Sequence, residues 1–127
     1  MRVNVRWYDE NQTVILSSPE VQLDGDAILA YDLTIYDMIS SVAHPVDVIV
    51  DYKHQRFFSG DYVTVRQQMK LLTSPFLRSV ICVGNQFAWE MFTVFSKHYR
   101  EVHFVFAYAE TLEEANEVLQ CIRQKKR

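Results

Sequence analysis

The sequence predicts an α/β fold, a mainly parallel, five-stranded mixed sheet with four helices in the order ββαβαβαβα. Three observations predict it. Residues 46–51 and 80–83 are nearly continuous apolar runs of strand length, the pattern of strands covered on both faces. Stretches of helical periodicity separate these runs, and covered strands alternating with helices imply right-handed crossovers within one sheet. The first two strand patterns, by contrast, are joined only by a turn-like polar stretch, so they form an antiparallel hairpin at or near a sheet edge.

The elements follow in order. Val3, Val5 and Trp7 alternate with Arg2, Asn4, Arg6 and Tyr8, which reads as an edge strand with one wet face. Asp9-Glu10-Asn11-Gln12 is the turn, and residues 13–17 are the second strand. Over residues 26–43, Ile28, Tyr31, Ile35, Met38, Ile39 and Val42 recur at helical spacing, with Asp24 or Asp26 as N-cap and Pro45 just past the end. After the strand at 46–51, a helix over 61–72 buries Tyr62, Val65, Met69 and Leu72. Gly84 ends the next strand, and a helix over 86–99 turns Ala88, Met91, Phe92, Phe95 and Tyr99 inward. The last strand covers 102–108. Thr111 with Glu114 makes a capping box for a final helix, whose inner stripe is Leu112, Ala115, Val118, Leu119 and Ile122.

Bulk properties bound the function. A chain of 127 residues holds one domain, here residues 1–127, large enough to bury a core without disulfide or metal staples. Hydrophobic content of 49% with 23% charged residues excludes a disordered chain. The net charge of −3 leaves no phosphate-binding footprint, so no nucleic acid is expected. The basic tail of Arg123, Lys125, Lys126 and Arg127 suits the negative end of a helix dipole. Cys82 and Cys121 lack the paired spacing of a zinc or redox site and read as reduced, small core residues of a cytosolic protein. No apolar run approaches the roughly 20 residues of a transmembrane helix, and the chain opens in a strand pattern without a signal core. A cytoplasmic location is expected.

One motif region carries a family resemblance. Val48-Ile49-Val50-Asp51 is a strand ending in Asp, and Phe57-Phe58-Ser59-Gly60 follows it after a short loop. With the element order and length, this resembles the STAS domain of anti-sigma-factor antagonists and the related SpoIIAA-like proteins. In that family an Asp-Ser-Ser/Thr-Gly turn opens the next helix and its Ser accepts phosphate from a partner kinase. Here Ser59-Gly60 matches the end of that turn, while Phe58 stands where the family has Asp or a preceding Ser. The resemblance implies a non-catalytic regulatory or protein-interaction module, switched by phosphorylation at Ser59.

The residues themselves supply the candidate site. At a helix start, free N–H groups and the positive dipole end stabilise an anion, so Ser59 and Gly60 are a phospho-acceptor or anion-binding candidate. The plainer reading is that Ser59 is the N-cap. Lys53, His54 and Arg56 occupy the loop after a strand's C-terminal end, where open α/β sheets place ligands, and either receive an anion or are simply solvated. His44, His54, His98 and His103 have no metal-ligand spacing, so no metal is expected. Asp24-Gly25-Asp26 is a turn and cap, since Ile35 stands where a calcium loop needs Glu. Gly84 lacks the other glycines of a dinucleotide fingerprint, and no GxSxG elbow occurs, so neither cofactor nor catalytic role is expected.

Apolar surplus is the remaining signal. Leu29, Leu33 and Tyr36 lie roughly 90 to 140 degrees from the centre of the first helix's core stripe, at about 100 degrees per residue. Trp89 likewise points away from its helix's inward face. Such flanks pack against neighbouring helices or form an interaction surface, and the partner would be another protein or a second copy in a homodimer. The alternative is a carrier or sensor of a hydrophobic small molecule or lipid, drawn from the many Phe, Tyr, Trp and Met residues. That reading needs an apolar cavity of several hundred Å³.

Overall fold

Strands pair in the order in which the chain makes them. In the computed structural model, which describes residues 3–58, 60–98 and 102–125 with side chains placed at all of these but Tyr62, His98 and Lys125, five strands form one sheet. They are β1 (Val5–Trp7), β2 (Val14–Ser17), β3 (Val46–Asp51), β4 (Leu77–Val83) and β5 (Val105–Ala109). β1 is antiparallel to β2, and every later neighbour is parallel. The helices are α1 (Gly25–Ser40), α2 (Tyr62–Gln68), α3 (Gln86–His98) and α4 (Leu112–Lys125), with a 3-10 turn at Leu71–Thr73. The expected mixed sheet with four helices and the hairpin at its edge are what the chain forms.

Sequential order explains the layering. Three right-handed crossovers that each step the same way across the sheet put α1, α2 and α3 on one face. Strand alternation then sends Ile15, Val46, Val48 and Val80 to that face, where they bury with Ile35, Ile39, Met91 and Phe95. Residues of opposite parity, Val14, Leu16, Ile49, Ile81 and Val83, meet Ala115, Leu119 and Ile122 of α4. Among the described residues α4, the helix after β5, covers the second face.

Caps mark the helix starts. Asp24 Oδ1 accepts a 2.8 Å hydrogen bond from Ala27 N, which selects it over Asp26 as the cap of α1. Thr111 Oγ1 accepts from Glu114 N at 3.1 Å, while the Glu114 carboxylate reaches back to Glu110 N at 3.3 Å, a capping box displaced by one residue.

Two boundaries and one burial in particular depart from the sequence reading. α2 stops at Gln68 rather than running to Leu72, because Met69 is extended and the next amides have another acceptor. The buried Asp32 carboxylate of α1 takes Lys70 N at 2.8 Å and Leu71 N at 3.0 Å. β5 begins at Val105, where pairing to Ser79 starts, so His103 precedes the strand with Nε2 at 2.6 Å from Ser74 O. Cys121 is exposed rather than a core residue, whereas Cys82 is buried in β4.

A buried ion cluster joins α4 to the sheet. Between β3 and β4 the register jumps from Val46↔Leu77 to Asp47↔Ser79, leaving Arg78 as an extra residue. The irregularity lets both Arg78 and Ser79 reach one carboxylate: Asp47 accepts from Arg78 Nε at 3.0 Å, Arg78 Nη2 at 2.5 Å and Ser79 Oγ at 2.6 Å. Arg123 of α4 adds a contact at 3.1 Å and donates to Thr13 Oγ1, which in turn donates to Asp9. Burial pushes the Asp47 carboxyl up, but the hydrogen bonds from Arg78 and Ser79 and the charge of Arg78 outweigh it and hold it below the usual range.

Candidate functional site

The loop between β3 and α2 stands at the carboxyl end of the parallel strands, the position where such sheets carry function. Its framework is polar and internal. Asp51, the last residue of β3, accepts from Lys53 N at 3.0 Å and lies 3.7 Å from Lys53 Nζ. Gln55 is 1% exposed, and its amide is fully engaged with the neighbouring 18–24 segment. Its Oε1 accepts from Leu23 N at 3.1 Å, and its Nε2 donates to Pro19 O at 2.9 Å and Val21 O at 2.7 Å. A buried amide with three main-chain partners fixes two loops against each other.

Around that anchor the loop turns four side chains outward. Lys53, His54 and Arg56 are exposed, and Phe57 is 58% exposed. Phe58, its neighbour, points the other way and packs into the core beside Tyr52. Gly60 has φ +154°, and a Cβ there would lie 2.9 Å from the Phe58 ring, so glycine is needed for both conformation and space. The sequence-derived set Lys53, His54, Arg56 and Gly60 is thus gathered on one exposed loop, while Ser59 lies outside the described residues.

The helix that follows is capped by Asp61. Its carboxylate accepts from Val63 N at 3.0 Å and Thr64 Oγ1 at 2.9 Å, so the N-cap expected at Ser59 is two residues further along. These hydrogen bonds hold the exposed Asp61 carboxyl below its ordinary range. A carboxylate already occupies the positive end of α2, and a second anion there meets its repulsion.

The apolar flanks fall into two separate places. On α1, Leu33 is 47% exposed while Leu29 and Tyr36 are half-buried. Trp89 is equally open, at 47%, yet its ring rests on Tyr108 of β5 at 5.1 Å and on Phe92 at 5.7 Å. Trp89 therefore belongs to an aromatic patch at the β5 edge.

Beneath α1, the 3-10 turn and α3 is an apolar cavity of about 90 Å³, lined in part by Tyr31, Val50, Leu72, Met91 and Phe106. Asp32 and Ser17 supply its polar wall. Burial pushes the Asp32 carboxyl above its usual range despite the two amides it accepts. Among the described residues no group of His, Cys, Asp and Glu could hold a metal ion, and no helix is long and apolar enough to cross a membrane. His44 lies 3.1 Å from Pro45 O and His103 2.6 Å from Ser74 O, two separate contacts with main-chain carbonyls.

No protein-family model, curated protein or solved structure matches the chain.

Sequence reasoning missed Gln55 as the organiser and Phe57 as the displayed residue. A signal for Phe57 was present: adjacent phenylalanines in an extended loop point to opposite sides, so only one of Phe57 and Phe58 can enter the core. Gln55 gave none, because its partners lie 32 to 36 residues earlier.

Proposed function

We propose that the chain is a non-catalytic protein-interaction module of the STAS/SpoIIAA-like kind, which meets its partner through the loop from Lys53 to Phe57. The observation that carries this reading is a large apolar side chain displayed on a loop that Gln55 holds in place. A preformed loop loses little conformational freedom on binding, and a half-exposed Phe supplies the apolar anchor that interface centres use. Lys53, His54 and Arg56 around it favour a partner with an apolar pocket rimmed by carboxylates. The element order and the Ser59-Gly60 remnant support the family likeness. Binding is the core of the proposal and phosphorylation secondary, since Asp61 already takes the first free amides of α2.

The second reading, a carrier of a hydrophobic small molecule, has the apolar cavity in its favour. At about 90 Å³ that cavity is well under the roughly 300 Å³ where ligand pockets begin, which places the carrier second.

Affinity capture from the native cell separates the outcomes. Immobilised wild type is compared with a Phe57→Ser/Arg56→Glu variant, both checked for folding by circular dichroism. The proposal expects at least one protein retained about 10-fold more by wild type, the scale of one lost anchor. Identical retention by the two would reject the loop as the binding surface.

A further inference from the structure

One row of the sheet crosses the floor of the apolar cavity. Ser17 of β2 pairs with Val50 of β3, and Val50 with Cys82 of β4, so their side chains stand side by side on the face that carries α1 and α3. Along β2 the neighbouring core positions are apolar, with Ile15 on the same face and Val14 and Leu16 on the other. Ser17 breaks that pattern. It is 1% exposed, and no hydrogen bond among the described residues involves its hydroxyl. A buried hydroxyl that the chain itself does not satisfy is completed by something it binds.

Size and charge narrow the occupant. The cavity of about 90 Å³ equals the volume of about three waters, each of which needs two to four polar partners. Its polar wall is Ser17 and Asp32, and both Asp32 oxygens already accept a main-chain amide. That wall keeps one such water, not three, because the remaining space faces Val50, Met91, Phe95 and Phe106. An apolar cavity of about 150 Å³ takes benzene, so this one takes a molecule of about four non-hydrogen atoms. An anion meets the Asp32 carboxylate, and a cation enclosed with it in apolar surroundings bears the desolvation of both. A neutral molecule with an apolar body and one hydroxyl fits the wall at both ends.

We propose that this cavity is a binding site for a small neutral alcohol, its hydroxyl at Ser17 and Asp32 and its carbon body against Val50 and Met91, and that occupancy tightens the Lys53–Phe57 loop. The second half rests on that loop being the interaction surface. Pro19 and Leu23 line the cavity, and they are also residues whose main chain the Gln55 amide holds, at 2.9 Å and 3.1 Å. Tyr52, where the loop begins, lines it too, and its carbonyl accepts from Gln55 N at 2.9 Å. The 19–23 segment thus has the cavity on one side and Gln55 on the other. A molecule packed beneath the segment binds only while the segment is in place, so by mass action it stabilises the segment and the loop clamped to it. At this size the occupant is an effector of the loop, distinct from the larger cargo of a carrier.

Titration of the purified, isotope-labelled full chain with 2-propanol, a branched alcohol of the right size, tests the site. Amide shifts of Ser17, Leu23, Val50 and Cys82 are expected to saturate together with a dissociation constant of about 5 mM, within the limit for about four atoms. Ser17→Ala removes the hydroxyl alone and is expected to weaken binding about tenfold. Val50→Ile keeps the hydroxyl but adds a methylene to the floor, and is expected to weaken binding by a similar factor. Hydrogen exchange of wild type needs no variant: with 2-propanol at about ten times its dissociation constant the Leu23 amide slows about tenfold, while amides at the start of α4 do not change. Shifts that rise linearly without saturating, or an affinity indifferent to Ser17→Ala, would overturn the site. Saturation with unchanged Leu23 exchange would overturn its link to the loop. Protein capture by Lys53–Phe57 is read separately, so either proposal can fail alone.

Discussion

Asp47 bears the largest electrostatic burden of any single side chain described, a fully buried carboxylate facing two guanidinium groups and a hydroxyl. Asp47→Ala leaves Arg78 and Arg123 without their partner, and the expected loss is about 3 kcal/mol, read as a lower urea midpoint at unchanged slope. The pH dependence has a definite sign. A carboxyl held low in the folded state contributes stability above its unfolded value, near 3.9, and that contribution vanishes as pH falls through the folded value. Asp47→Asn therefore flattens the acid limb of the stability curve below about pH 4. Asp32 acts oppositely: its raised pKa makes the folded state hold the proton more tightly, so its contribution is fully present below the unfolded value and declines as pH rises from there through the higher folded value. Cys82, whose thiol burial pushes up to about 12, is expected to resist iodoacetamide at pH 8 until denaturant opens the chain. Alkylation of Cys82 in the native protein would contradict the burial of β4.

At the scale of elements, legibility followed the range of the signal. α1, α3 and α4 were readable because their caps and apolar stripes are local, as Asp24 and Thr111 show. α2 was overextended because its end is set by Asp32, a side chain 38 positions before Lys70. The cap of α2 has a nearer cause: the family motif ends at Ser59-Gly60, while Asp61 is the residue whose carboxylate takes the Val63 amide. Asp61→Ala is expected to fray α2 first, seen as faster amide exchange at 63–65. Equal exchange in wild type and variant would remove Asp61 from the capping role. The edge character of β5 was hidden because an apolar run looks the same whether a strand ends the sheet or sits within it.

The whole molecule is a sheet wound in chain order, with three helices on one face, one on the other, and the loop after β3 presented at the carboxyl end of the strands. The alternation of periods made the α/β class, the element order and the edge hairpin legible, but neither the strand order nor which helices share a face. The site was legible in outline only: Lys53, His54, Arg56 and Gly60 fall on the loop, but what makes it a surface is Gln55 beneath and Phe57 above. Gln55→Ala removes three hydrogen bonds, two of them buried, and is expected to cost about 3 kcal/mol, at roughly 1 kcal/mol each. The functional proposal depends on the loop being formed before any partner arrives. Hydrogen exchange at the Leu23 amide, which donates to the Gln55 side chain, reports on that directly. The account predicts slow exchange in the free wild-type protein and rates near those of an open loop in Gln55→Ala, with β3 and β4 still protected. A Leu23 amide that exchanges as freely in wild type as in the variant would contradict it.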